Sequence, residues 1–145
     1  MAVTPGICNS FKTQLGTATH DFTITTGHAF YWALYSSAAT HTPSTTTVYD
    51  NTNELAAGNG YTQGGVTVAN VTPTLDSNTA VFDFSADPTW ATASFTARST
   101  LLYNSNATNA AVGIWDFGTD QTASGGSFVL ELPLPTAAAG IITLV

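Results

Sequence analysis

Apolar positions along this chain change rhythm near residue 29. Before it, Phe11 and Leu15 fall four apart and share a face, which predicts a short helix over Asn9–Ala18, capped by Asn9 or Ser10 and ended at Gly16. After it the period is two. In Ala29–Tyr35, Phe30, Trp32 and Leu34 alternate with Tyr31, Ala33 and Tyr35, so both faces are apolar and the strand is expected to be covered twice. Thr, Asn, Pro43 and four glycines fill residues 36–65, a long loop in which Glu54 and Leu55 are expected on a short helical turn.

Strand patterns then return at Val66–Val68, Val71–Leu75 and Thr79–Ser85, the last with Ala80, Phe82 and Phe84 inward and Val81, Asp83 and Ser85 outward. Asp87-Pro88 reads as a turn, Thr92–Tyr103 as the longest strand, and Asn104–Asn109 as a polar turn. Ala111–Phe117, Ser127–Leu132 and Ile141–Leu144 complete the set, punctuated by Gly125-Gly126 and by Pro133 and Pro135. Short strands at this spacing predict an all-β, single-domain β-sandwich over residues 1–145, a jelly roll being one form of it.

Composition sharpens this picture in one respect. Charged residues are 8% of the chain, against about 25% in ordinary soluble domains, while 43% is hydrophobic and 11% aromatic. Surface polarity therefore rests on Thr, Ser and Asn, whose neutral hydroxyls and amides lose less than ions do when a neighbour covers them. The net charge is −7, and Lys12 and Arg98 are the two cations besides histidine. Two cations do not neutralise a run of phosphates, so nucleic-acid binding is excluded, and no polybasic patch exists for an anionic membrane. The apolar runs fall far short of the roughly 18–20 residues of a membrane helix, and the first residues lack a signal-peptide pattern, so synthesis in a cytoplasm is expected. The lone Cys8 leaves no intramolecular disulfide and no cysteine zinc site.

The residue types of an active site do not converge. His20, Asp21 and His28 could meet around a turn as metal ligands, but no H-E-x-x-H spacing accompanies them. No G-x-S-x-G elbow presents a nucleophilic serine. Asp83, Asp87, Asp116 and Asp120 suit turns, where Asp satisfies local backbone, better than a glycosidase pair; Asp116 and Asp120 could also clip a calcium between loops. Gly60–Gly65 lacks the Lys-Ser/Thr of a phosphate loop. No catalytic residue, metal or cofactor is therefore expected. Three residues are candidate partner contacts: Tyr61 in the long loop, Trp90 just after the Asp87-Pro88 turn, and Arg98, mid-strand and expected to bridge Asp83, Asp116 or a neighbouring subunit in bidentate fashion.

The order of short motifs carries a resemblance. Asn9-Ser10-Phe11-Lys12-Thr13-Gln14-Leu15, His20-Asp21-Phe22, Ala33-Leu34-Tyr35, Asn53-Glu54-Leu55, Gly60-Tyr61-Thr62-Gln63-Gly64-Gly65, Thr96-Ala97-Arg98, Leu102-Tyr103, Asp116-Phe117-Gly118 and Gly140-Ile141-Ile142-Thr143-Leu144 follow one another across nearly the whole chain. In that order they resemble a family of small structural proteins of tailed-bacteriophage particles; Tyr31-Trp32 departs from the smaller or charged residues more usual there. The resemblance implies a virion protein without catalytic residues, of the minor capsid or decoration type. It would be assembled in the host cytoplasm, with the major capsid protein or other virion proteins as partners. A decoration or cement protein on the outer head surface is the first expectation. A head–tail joint, a tail component, or a receptor- or glycan-binding module of a fibre is the alternative. Icosahedral three-fold positions make a homotrimer the expected oligomer.

Overall fold

The computed structural model describes residues 2–145. Its elements are β1 (Gly6–Ile7), α1 (Asn9–Gly16), β2 (Phe30–Tyr35), β3 (Val66–Thr67), β4 (Asn70–Asp76), β5 (Thr79–Phe84), β6 (Thr89–Asn104), β7 (Ala110–Val129) and β8 (Ile142–Leu144). They form two antiparallel sheets, one ordered β1-β7-β6-β2-β3 and the other β4-β5-β8. The fold is an all-β sandwich, divided five and three rather than into the paired four-strand sheets of a jelly roll.

The β6–β7 hairpin is the spine of the large sheet. Its turn passes through Thr108 and Asn109, both at positive φ, and closes with Ala110 N–H donating to Ala107 O at 3.0 Å. Beside it, β2 pairs Phe30–Tyr35 with Asn104–Ser99. The register puts Trp32, Leu102 and Gly113 in one row and Leu34, Thr100 and Trp115 in another on the same face. A Cβ at Gly113 would lie 2.6 Å from the Trp115 indole, so the missing side chain makes the bed on which that ring lies.

One face of this sheet receives the small sheet. Phe22 stacks on Phe30 at 4.1 Å and meets Phe82 edge-on at 4.9 Å, while Phe84 meets Trp32 at 5.5 Å. Such aromatic pairs contribute about 0.5–1.5 kcal/mol each beyond their buried area. The opposite face, carrying Tyr31, Ala33, Tyr35, Leu101 and Tyr103, is covered by the long loop, with Tyr49 stacked on Tyr103 at 4.4 Å. The doubly apolar pattern of β2 thus corresponds to double coverage, and five of its six residues are buried.

Several local expectations are corrected. The helix begins after Cys8, with no side-chain cap, and stops at Gly16; it holds on by Phe11, which is fully buried. Glu54 bridges to Tyr35 instead of entering a helical turn. Asn70 opens β4, its backbone paired with Phe84 and its side-chain amide donating to His28 O at 2.8 Å. Val81 is buried, not outward, with Gly140 approaching its methyl groups. The patterns at 111–117 and 127–132 are one twenty-residue strand, longer than β6, continued through Gly118 and Gly125 at positive φ. Register shifts between β6 and β7 keep them paired across these irregularities.

Candidate functional site

Tyr61 and Trp90 lie inside the fold. They are 3% and 2% exposed and stack on each other with centroids 6.2 Å apart, and the Tyr61 ring also meets Phe95 at 5.8 Å. Both were candidate partner contacts; the structure corrects this, because the long loop folds back onto β6. Gly60 sits against the backbone of Ala91–Ala93, and Ser94 N–H donates to Asn59 O at 2.8 Å. A ring at a loop tip reads as exposed only until the tip has something to land on.

What anchors the loop is Glu54. Its Oε1 accepts from the Tyr61 hydroxyl at 2.6 Å and from Gly64 N–H at 2.6 Å, and its Oε2 accepts from the Tyr49 hydroxyl at 2.7 Å. The Tyr61 oxygen in turn accepts from Leu34 N–H at 2.9 Å, on the edge of β2 beyond the reach of β3. The Tyr103 hydroxyl donates to Gly64 O at 2.7 Å. Burial, followed by the hydrogen bond to Glu54, pushes the Tyr61 and Tyr49 hydroxyls far above the ordinary phenol range. Burial and then the Glu54 charge raise Tyr103 to about 12. One carboxylate thus gathers three donors from the loop, and the cluster clamps the loop onto β2 through Tyr61. Nothing periodic in the sequence marks it; its one signal is a glutamate in a loop of a chain with so few acids.

Arg98 does find a carboxylate. Its Nε donates to Asp116 Oδ1 at 2.9 Å, and its Nη1 lies 3.7 Å from Asp120 Oδ1. Of the two acids expected, the structure selects Asp116 and adds Asp120, and the contact is one nitrogen to each acid instead of a bidentate fork. Gly118 N–H, donating to Asp116 Oδ1, and then Arg98 hold the Asp116 carboxyl below its ordinary range. The irregular stretch of β7 around Gly118 brings the three together.

His20 and His28 do approach each other, through Asn104. The Asn104 side chain is fully buried, and its Oδ1 accepts from Asn106 N–H at 3.0 Å, which fixes the amide orientation. Its Nδ2 therefore faces His20 Nδ1 at 3.0 Å and His28 Nδ1 at 2.9 Å, so each Nδ1 is placed to accept from the amide. His20 Nε2–H then donates to Gln14 Oε1 at 2.9 Å. Desolvation, with His28 adding to it, lowers His20 to about 4. An amide NH2 group occupies the place a metal would need. Among the described residues no group of three His, Cys, Asp or Glu could hold a metal ion.

The outer surface offers a different kind of site. From Gly118 to Val129, β7 is mostly exposed, with β6 as its paired strand. Phe117 and Phe128 are eleven residues apart on it, yet their rings lie 6.3 Å apart. A flat strand would separate them by about 36 Å, so the ribbon is strongly curled. The hollow it makes holds about 440 Å³ and adjoins a second of about 170 Å³ over Trp32 and Trp115. No helix among the described residues is long and apolar enough to cross a membrane. Compared with protein-family models, with curated proteins and with solved structures, the chain matches none.

Proposed function

We propose that this chain is a structural protein of a tailed-bacteriophage particle, a decoration protein on the outer surface of the head that acts by being assembled. The observation that carries the reading is the β6–β7 ribbon. Its outer part is long, exposed and rich in Thr, Ser and Gly, with Asp116, Asp120 and Arg98 as its ionic cluster. Covering such a surface costs little desolvation, since few ions are stripped of water. Three groups of the kind that carry chemistry are tied up inside the fold: Glu54 by three donors, and His20 and His28 by Asn104. The order of motifs along the chain supports the same reading. The net charge of −7 suits a surface away from packaged DNA.

Gold-tagged antibody against the chain, imaged on intact particles by electron microscopy, tests the proposal. Gold spread over the head is the expected result. Gold confined to neck or tail keeps the structural class and moves the site to the joint, tail or fibre. No gold, with the chain also absent from dissociated particles, overturns the reading.

A further inference from the structure

A hollow of about 350 Å³ lies within the first part of the long loop, between residues 40 and 53. Eight of its nine lining residues are polar, and five of those are threonines. The loop around it is pinned to β7 and to the turn before it, by Ala111 N–H donating to Thr47 O at 2.9 Å and Tyr49 N–H donating to Asn109 O at 2.8 Å. The hollow is thus formed before anything enters it, which spares a ligand the cost of ordering the loop. Two of its polar side chains are more than nine-tenths buried, His41 at 9% exposed and Thr46 at 8%. The His41 ring packs edge-on against Tyr35 at 4.5 Å and makes no hydrogen bond among the described residues; its Nε2 stops 3.5 Å from Asp50 Oδ2. Asp50 Oδ1 is taken by Thr52 N–H at 2.8 Å, and Oδ2 accepts no hydrogen bond there. Thr46 Oγ1 accepts from Thr42 N–H at 3.1 Å while its own proton is uncommitted.

We infer that this hollow binds one neutral saccharide ring through a vicinal pair of hydroxyls. A hydroxyl set between His41 and Asp50, about 2.7–2.9 Å from each, accepts from the imidazole Nε2–H and donates to Oδ2. At 3.5 Å the two side chains serve each other poorly, and one hydroxyl oxygen satisfies both. The neighbouring hydroxyl meets the threonine hydroxyls, which donate and accept as a sugar's own hydroxyls do. Val48, 47% exposed, offers methyl groups to the C–H face of the ring. Other ligand classes fit worse. The lining holds no Lys or Arg for a phosphate or a carboxylate, and Asp50 repels both. One imidazole and one carboxylate fall short of a metal centre, and no aromatic ring besides His41 lines the hollow for a nucleobase. The site stands on this lining; the virion reading adds only a source for the saccharide, the polysaccharide of a host cell surface.

The test is a proton–carbon NMR titration of the full chain, following the ring Cε1–H signals of His41, His20 and His28. The probes are the methyl α-glycosides of glucose, galactose, mannose and N-acetylglucosamine, each up to about 100 mM, with ethylene glycol at matched hydroxyl concentration as control. The expected result is saturable movement of the His41 signal by at least one glycoside, with a Kd in the millimolar range, while His20 and His28 stay still. Asp50→Asn keeps an acceptor for Thr52 N–H and should weaken that binding about ten-fold or more, the scale of a hydrogen bond to a charged group. Unchanged His20 and His28 signals certify that the variant is folded. An unmoved His41 signal with all four glycosides overturns the site. Equal movement with ethylene glycol leaves a hydrated hollow only and overturns it too, as does unweakened binding by folded Asp50→Asn. Stronger movement with inorganic phosphate than with any glycoside overturns the saccharide in favour of an anion. Glycoside binding with the chain absent from particles overturns the virion source and leaves the site standing. Gold on the head with a silent His41 does the reverse.

Discussion

Lowering the pH should loosen this protein through the His20–Asn104–His28 cluster well before its carboxylates protonate. Asn104 presents an N–H group to His20 Nδ1, so a proton on that ring sets donor against donor. His20 titrates near 4 in the folded chain against 6.5 for an unhindered imidazole. The unfolded chain therefore binds more protons than the native one below 6.5, and stability falls as pH falls from there towards 4. Integrating the two titrations gives a loss of about 2 kcal/mol between pH 7.5 and pH 5, approaching about 3 kcal/mol below pH 4. The lowered carboxyls of Asp21 and Asp116 contribute stability that is lost only below their ordinary value of 3.8, outside this window. Urea unfolding followed by tryptophan fluorescence at pH 7.5, 6 and 5 measures the effect. Asn104→Asp supplies the sign test: a carboxylate keeps the acceptor for Asn106 N–H and turns the group facing His20 into an acceptor for its protonated ring. Its stability should rise, not fall, between pH 7.5 and 5.5. Native stability unchanged within about 0.5 kcal/mol over that range, or the same slope in Asn104→Asp, would refute the hydrogen-bond assignment.

Glu54→Ala strands the Tyr49 and Tyr61 hydroxyls and Gly64 N–H, and should cost about 3 kcal/mol or more by urea unfolding, with Glu54→Gln losing less because it keeps an acceptor. Gly65→Ala should fail to fold or lose more than about 4 kcal/mol. Its Cβ would fall 1.9 Å from Trp32 O at a φ of +83°, whereas Gly16→Ala, with nothing within 4 Å, should be neutral or raise stability by up to about 1 kcal/mol. Arg98→Ala should move the Asp116 carboxyl back towards 3.8 in an NMR pH titration and weaken attachment to particles. An unmoved titration would mean the pair does not persist in solution, and intact folding with intact attachment would end the case for Arg98 as a contact.

The elements that could be read from the sequence are those whose signal is local. The period-two pattern of β2 and β5, the turn within 104–109, and the Phe11–Leu15 pair each lie within a few residues, and all correspond to real strands, turn or helix, while Asp87-Pro88 is a plain link into β6 after a bend at Ser85-Ala86. Reading failed where a local signal was outvoted. Gly125-Gly126 looks like a break, but β6 runs opposite and its ladder carries β7 through the glycines. Tyr61 and Trp90 look available because they flank turns, and they are buried because the loop returns to the sheet.

The sequence by itself determined the class of the fold: strand periodicity set an all-β chain, and its polarity rests on Thr, Ser and Asn with two cations besides histidine. Tertiary structure alone decided which polar groups are spent and which remain open. Asn104 reaches back 84 residues to His20, and Trp32 comes to share a cleft with Glu131, 99 positions further on. Hydrogen bonding and burial depend on distance in space, and a hairpin ladder or a returning loop sets that distance without leaving a period in the chain.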